Sequence, residues 1–124
     1  MTFTTRQKAL RIARAALDSK ADDLVILDLR KRSATFDYFV VCTVTSQRRS
    51  QAVADAIEES LETLGARLAH KEGYADGGWV LLDYGSVIGH IFAPELRTFY
   101  RLERLWADAL RVTVPAGTAA ARRS

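Results

Sequence analysis

A chain of 124 residues, 48% hydrophobic and 27% charged, is long enough to bury one hydrophobic core without disulfide or metal staples. No apolar run approaches the ~20 residues that a membrane-crossing helix needs, and the one cysteine, Cys42, cannot supply an internal disulfide or a multi-thiolate metal site. A formal net charge of +3, from 18 Lys and Arg against 15 acids, does not by itself mark a nucleic-acid-binding chain, so direct RNA contact is left open.

The first twenty residues carry Arg6, Lys8, Arg11 and Arg14 but no continuous apolar stretch, which argues against a secretory signal. A mitochondrial presequence shares that Arg-rich, amphipathic character. The reading adopted is a packed first helix in a cytoplasmic protein: Leu10, Ala13 and Leu17 recur at helical spacing between Arg6 and Leu17, flanked by Ala9, Ile12 and Ala16. Asp22-Asp23 breaks the pattern, and Leu24 to Leu27 is a short strand-like run. Arg30 to Ala34 is polar and turn-like. Phe36 to Thr43, rich in aromatic and β-branched residues on both parities, predicts a central strand covered on both sides, with Cys42 a buried thiol.

Thr45-Ser46 supplies a capping hydroxyl for a second helix with Val53, Ile57, Leu61 and Leu64 as its core stripe, and Gly65 ends it. Ala66 to Lys71 is a weak strand, and Asp76-Gly77-Gly78 is a turn. Trp79 to Asp83 and Val87 to Phe92 read as a hairpin about Tyr84-Gly85. Pro94 opens a closing helix whose buried face is Phe99, Leu102, Leu105, Trp106 and Leu110. The order α-β-β-α-β-β-β-α implies an α/β (α+β) domain over residues 1–112, a mixed five-stranded sheet flanked by helices, followed by a disordered tail over 113–124.

Catalytic chemistry has little to build on. The only imidazoles are His70 and His90, neither in a nucleophile or metal-ligand motif, and His90 lies mid-strand, where a hydrogen bond to a sheet neighbour accounts for it. Gly85-Ser86 invites comparison with nucleotidyltransferases, but it sits in a hairpin, and neither Asp83 nor Asp37 has a second carboxylate two residues away. No phosphate-binding glycine motif occurs. No catalytic residue, metal or cofactor is assigned.

Two blocks carry a resemblance. Asp37-Tyr38-Phe39-Val40-Val41-Cys42-Thr43, followed by Thr45-Ser46, Arg48, Gln51-Ala52 and Ala54-Asp55, is one. Trp79-Val80-Leu81-Leu82-Asp83-Tyr84-Gly85, His90-Ile91-Phe92, Arg97, Phe99-Tyr100, Leu102-Glu103 and Leu105-Trp106 is the other. Their order and spacing resemble the ribosomal silencing factor (RsfS, or Iojap) family. Val44, Ser86 and Gly89 depart from residues common in that family: glycine, an acid and a β-branched residue, respectively.

The resemblance implies a nucleotidyltransferase-like sheet without a catalytic site, in a homodimeric adaptor that binds the large ribosomal subunit through ribosomal protein L-fourteen. It implies translational repression by a steric block to joining of the small subunit. Strand parity puts Trp79, Leu81 and Asp83 on one face and Val80, Leu82 and Tyr84 on the other; Trp79 is either an exposed aromatic anchor or a core residue. Expected partner-binding residues are Trp79, Asp83, Tyr84, Arg97, Tyr100, Arg48 and Gln51. Asp37 and Tyr38 have an alternative structural role near a sheet edge. A metal-dependent nucleotidyltransferase using Asp83, or a dimeric scaffold with a non-ribosomal partner, are the rival readings.

Overall fold

The computed structural model describes residues 3–96 and 109–114. The first helix, α1 (Thr5–Asp18), begins where Thr4 closes a capping box with Gln7: the Gln7 N–H donates to the threonine hydroxyl at 3.0 Å, and the Thr4 N–H donates back to the Gln7 side chain at 2.7 Å. Its buried positions are Ala9, Ile12, Ala13, Ala15 and Ala16, while Leu10 and Leu17 sit at the margin of the contact. The expected stripe is therefore rotated. Alanines let α1 lie close to its neighbours, and the larger leucines cover the rim.

Two strands follow, β1 (Asp22–Asp28) and β2 (Tyr38–Thr43), then α2 (Gln47–Leu64). Ser46 caps α2 by accepting from the Arg49 N–H at 3.0 Å, and Gly65 ends it at φ +94°, in the left-handed region that glycine enters freely. The remaining strands are β3 (His70–Glu72), β4 (Trp79–Asp83), β5 (Val87–Phe92) and β6 (Leu110–Val112). The weak strand expected over Ala66–Lys71 forms only at its far end.

The sheet is mixed, as expected, but has six strands rather than five, in the order β3-β4-β5-β2-β1-β6. β2 and β5 run parallel, and every other neighbouring pair is antiparallel. Leu110 was expected on the buried face of a closing helix; it instead opens β6 on the edge of β1 and is 65% exposed. Backbone pairing with Asp28, which no side-chain periodicity reports, decides its place. Residues 94–96 are helical, and the rest of the expected closing helix, with most of the expected tail, lies outside the described residues.

One face of the sheet packs under both helices. Tyr38, Val40 and Cys42 of β2, Val80 and Leu82 of β4, and Val87 and Ile91 of β5 meet Ile12, Val53, Ile57 and Leu61. The opposite face gathers Leu27, Leu29, Phe39, Val41, Ile88 and Phe92, with Ala109, Leu96 and half-buried Trp79 against them. β2 is thus buried on both sides. Tyr38, 0% exposed, belongs to this central strand and not to a sheet edge.

Two glycines separate close approach from open space. A β-carbon on Gly73, at φ +77°, would stand 2.0 Å from the Trp79 carbonyl oxygen, whereas one on Gly89 would meet Ile12 Cγ2 at 3.6 Å and Leu82 Cβ at 3.7 Å, ordinary contacts. Gly73→Ala should therefore lower stability by more than ~2 kcal/mol, while Gly89→Ala should raise it by up to ~1 kcal/mol by restricting the unfolded chain. Urea unfolding midpoints that moved in the same direction for both variants would contradict this packing.

Candidate functional site

The β4–β5 hairpin brings together the part of the second motif block from Trp79 to Phe92. Trp79 pairs in register with Phe92, and their rings stack at 5.0 Å between centroids. The Trp79 Nε1–H donates to His90 Nδ1 at 3.2 Å, and the imidazole edge meets Phe39 at 4.6 Å between centroids. This is the sheet-neighbour hydrogen bond expected for His90. Because Nδ1 accepts, the neutral ring carries its proton on Nε2, which is buried with no hydrogen-bond partner among the described residues. Burial pushes the His90 pKa down to about 4, since a charged imidazolium among apolar rings loses its hydration.

Among the described residues, the expected partner-binding residues are spread over both ends of β4 and the start of α2. Trp79 is half-buried, its ring packed against the second core cluster. Asp83 lies at the other end of β4, about 13 Å along the strand at ~3.3 Å per residue, and its carboxylate accepts from the Gly85 N–H at 2.8 Å, fixing the turn. Tyr84 is 2% exposed within the helix-side core, and burial, assisted by the charge of Glu58, pushes its hydroxyl up to about 12. A ring so placed has almost no surface to offer a partner.

Arg48 is exposed in the first turn of α2. Gln51, one turn on, donates to the Tyr74 carbonyl at 3.0 Å, and Gln47 donates to the Ala75 carbonyl. These amides pin the β3–β4 loop to α2, and the Tyr74 hydroxyl adds a bond to Asp55 at 2.9 Å. The start of α2 and the start of β4 therefore share one end of the molecule, with Arg48 and Trp79 both there. Arg97 and Tyr100 lie outside the described residues.

The carboxylates that a metal-dependent reaction would require are engaged locally. Asp37 accepts from the Thr5 hydroxyl at 2.8 Å, Asp83 holds its turn, and Asp28 is forked by Arg30 at 2.9 and 2.6 Å. The Arg30 hydrogen bonds hold the Asp28 carboxyl below its ordinary range. Among the described residues, no group of three His, Cys, Asp or Glu side chains is arranged to hold a metal ion.

Residues 2–124 match the family described as ribosomal silencing factor during starvation. This chain belongs to the ribosomal silencing factor family. The ribosomal silencing factor RsfS of Bacillus subtilis is 38% identical over 105 residues, spanning 84% of this chain and 89% of that protein. The chloroplastic protein Iojap of Zea mays is 33% identical over 113 residues, which is 89% of this chain but 48% of that longer protein. A crystal structure of a Chromobacterium violaceum protein superposes with a TM-score of 0.82 at 29% identity, covering 94% of this chain and 97% of that one.

Within this family member, the departures from the common pattern are easily accommodated. The Val44 N–H donates to the Phe92 carbonyl at 2.9 Å, prolonging the β2–β5 pairing, and Ser86 serves through its carbonyl, which accepts from the Asp37 N–H at 2.7 Å. What residue-by-residue reasoning missed is that Arg6, from the start of α1, comes close enough for its charge to act on Asp28, the partner of Arg30 at the β1–β2 end. The run Arg30-Lys31-Arg32 was the available signal, but it read only as a polar turn.

The buried histidine gives a pH prediction with a defined sign. Its folded pKa of about 4 lies below the ordinary 6.5, so the unfolded chain binds more protons between those values. Stability from this group is full above pH 6.5 and falls as pH drops toward 4, by about 3 kcal/mol at most. His90→Gln, which keeps an acceptor for the Trp79 N–H, should flatten the dependence of the urea midpoint on pH between 4.5 and 6.5. Identical slopes in the two proteins would exclude a buried neutral imidazole.

Proposed function

We propose that this protein binds the large ribosomal subunit through ribosomal protein L-fourteen and represses translation by standing where the small subunit must join. The carrying observation is the family match over residues 2–124, with β2 from the first motif block and β4 and β5 from the second neighbouring in one sheet. The effect is steric and needs no bond-making chemistry. A sheet packed on both faces, with β2 buried throughout, is a stiff body suited to excluding a partner. The protein works in the cytoplasm as a homodimer; among the described residues, no helix is long and apolar enough to cross a membrane.

The accessible part of Trp79, with Arg48 at the same end, is the leading contact pair, and Gln51 supports it by fixing the loop between them. Asp83, at the opposite end of β4, contributes by holding its turn, and Tyr84 by packing beneath it. Arg97 and Tyr100 are kept as proposed partner contacts on the motif resemblance alone.

Sedimentation tests this reading. Purified protein should comigrate with large subunits on a sucrose gradient and reduce the fraction of joined ribosomes as its concentration rises. Absence of comigration together with unchanged joining would end the proposal. Trp79→Ala should weaken docking by ~2 kcal/mol or more. Trp79→Phe, which retains a ring against Phe92, controls for lost packing. Arg48→Ala should lower affinity at an unchanged melting temperature, and an unchanged affinity would remove Arg48 from the contact surface.

A further inference from the structure

The loop between β3 and β4, residues 73–78, is fastened to α2 by side chains from both. The Gln51 amide donates to the Tyr74 carbonyl at 3.0 Å, and the Gln47 amide donates to the Ala75 carbonyl. In the other direction, the Tyr74 hydroxyl donates to the two carboxylate oxygens of Asp55, at 2.9 and 3.1 Å. Lys71 covers the Tyr74 ring, its Nζ 4.4 Å from the centroid, and donates to Glu58 at 2.8 Å. Gln47, Gln51, Asp55 and Glu58 follow one another at helical spacing, so these contacts run along one face of α2.

The loop backbone lies against the helix as well. A β-carbon on Gly77 would stand 2.8 Å from Gln47 Cγ, and the Gly77 N–H donates to the Gly73 carbonyl at 2.9 Å. The Gly78 carbonyl then accepts from the Ala93 N–H at 2.8 Å, and Trp79 begins β4. The loop is thus fixed at its start, middle and end. The two leading contact residues flank it: Arg48, exposed on α2 beside Gln47, and Trp79, the residue after Gly78.

A contact surface assembled from two elements is only as well ordered as the connection between them. A loop that had to be ordered at the moment of docking would lose conformational entropy then, whereas a loop already held loses little. We propose that Gln51 and Tyr74 are positioning residues for docking on the large subunit: by locking the loop to α2, they set Arg48 and Trp79 in their binding arrangement before the subunit is met. This role rests on the docking reading above and gives its preorganisation to named side chains. The Asp55 hydrogen bond raises the Tyr74 pKa above its ordinary value, so the hydroxyl remains a donor at neutral pH.

Binding kinetics of the full chain on purified large subunits test this role. Gln51→Met/Tyr74→Phe keeps the length of one side chain and the ring of the other, but removes the bonds that both donate between loop and helix. The double variant should unfold cooperatively, like wild type. Its association should slow by about fivefold or more, roughly the weight of one hydrogen bond, because only molecules with an ordered loop are competent to bind. Dissociation should change little, since no contact with the subunit is lost. The Gly77 amide should exchange with solvent faster by a similar factor, with the amides of β5 unchanged. Asp55→Ala should slow association likewise, and Asp55→Asn, which keeps an acceptor for the Tyr74 hydroxyl, should restore it. In a Trp79→Ala background the loss from the double variant should shrink, because it acts through Trp79. Faster dissociation at unchanged association, or the full loss repeated without Trp79, would make Gln51 and Tyr74 independent contacts and overturn their positioning role. Wild-type kinetics in the double variant would overturn it while leaving docking intact. If wild type did not bind large subunits at all, the docking reading would fall, and the positioning role with it.

Discussion

Burial of β2 on both faces is the constraint from which the rest follows. Tyr38 to Thr43 has no polar side to turn to water, so the chain must cover it twice. Tyr38, Val40 and Cys42 demand the layer of α1 and α2, while Phe39 and Val41 demand the aromatic face built from Trp79, His90 and Phe92. Parallel pairing with β5 then requires the intervening chain, α2 through β4, to return to the same end before β5 begins. That return places the loop before β4 against the start of α2, where Gln47 and Gln51 satisfy its carbonyls. The two motif blocks are therefore joined physically by one strand that cannot be left uncovered.

The same constraint explains which parts of the structure were readable from the sequence. β2, β4, β5 and both helices announce themselves through periodicity, because each has side chains that must be buried at fixed spacing. β6 does not. It is three residues long, its Leu110 is exposed, and what holds it is main-chain pairing to β1. The face of α1 was misjudged by a fraction of a turn for a related reason. Leucine is the stronger hydrophobe, but the close contact selects alanine, and the leucines settle at its rim. Size, not hydropathy, chose the buried face.

The candidate contact residues were harder to read because a motif mixes two kinds of pressure. Tyr84 and Tyr38 lie in recognisable blocks yet are core residues, and Asp83 lies there as the acceptor that fixes a turn. A family signature dominated by such positions identifies the fold more surely than the surface that meets a partner. Trp79 is the intermediate case. Its ring covers Phe92, and its N–H satisfies half of a buried imidazole, so the polar atoms within this apolar face are partly matched to each other. The Nε2 of His90, without a partner among the described residues, is what remains, and it ties the stability of that face to protonation.

Net charge conceals the last feature because it sums over the whole surface. A total of +3 is ordinary, yet Arg30, Lys31 and Arg32 are consecutive and exposed between β1 and β2, and Arg6 lies close enough for its charge to act on Asp28. A partner feels this local field, which decays over roughly 10 Å at 0.1 M salt, and not the total. Shape and charge then have separable parts in a docking protein. The doubly packed sheet supplies a body that does not yield when another particle approaches, and that property is indifferent to salt. Charged side chains at a contact supply attraction and orientation, which salt weakens. A blocking protein that relied on shape alone would bind equally well at every ionic strength, so any steep salt dependence would originate in charged side chains at the contact.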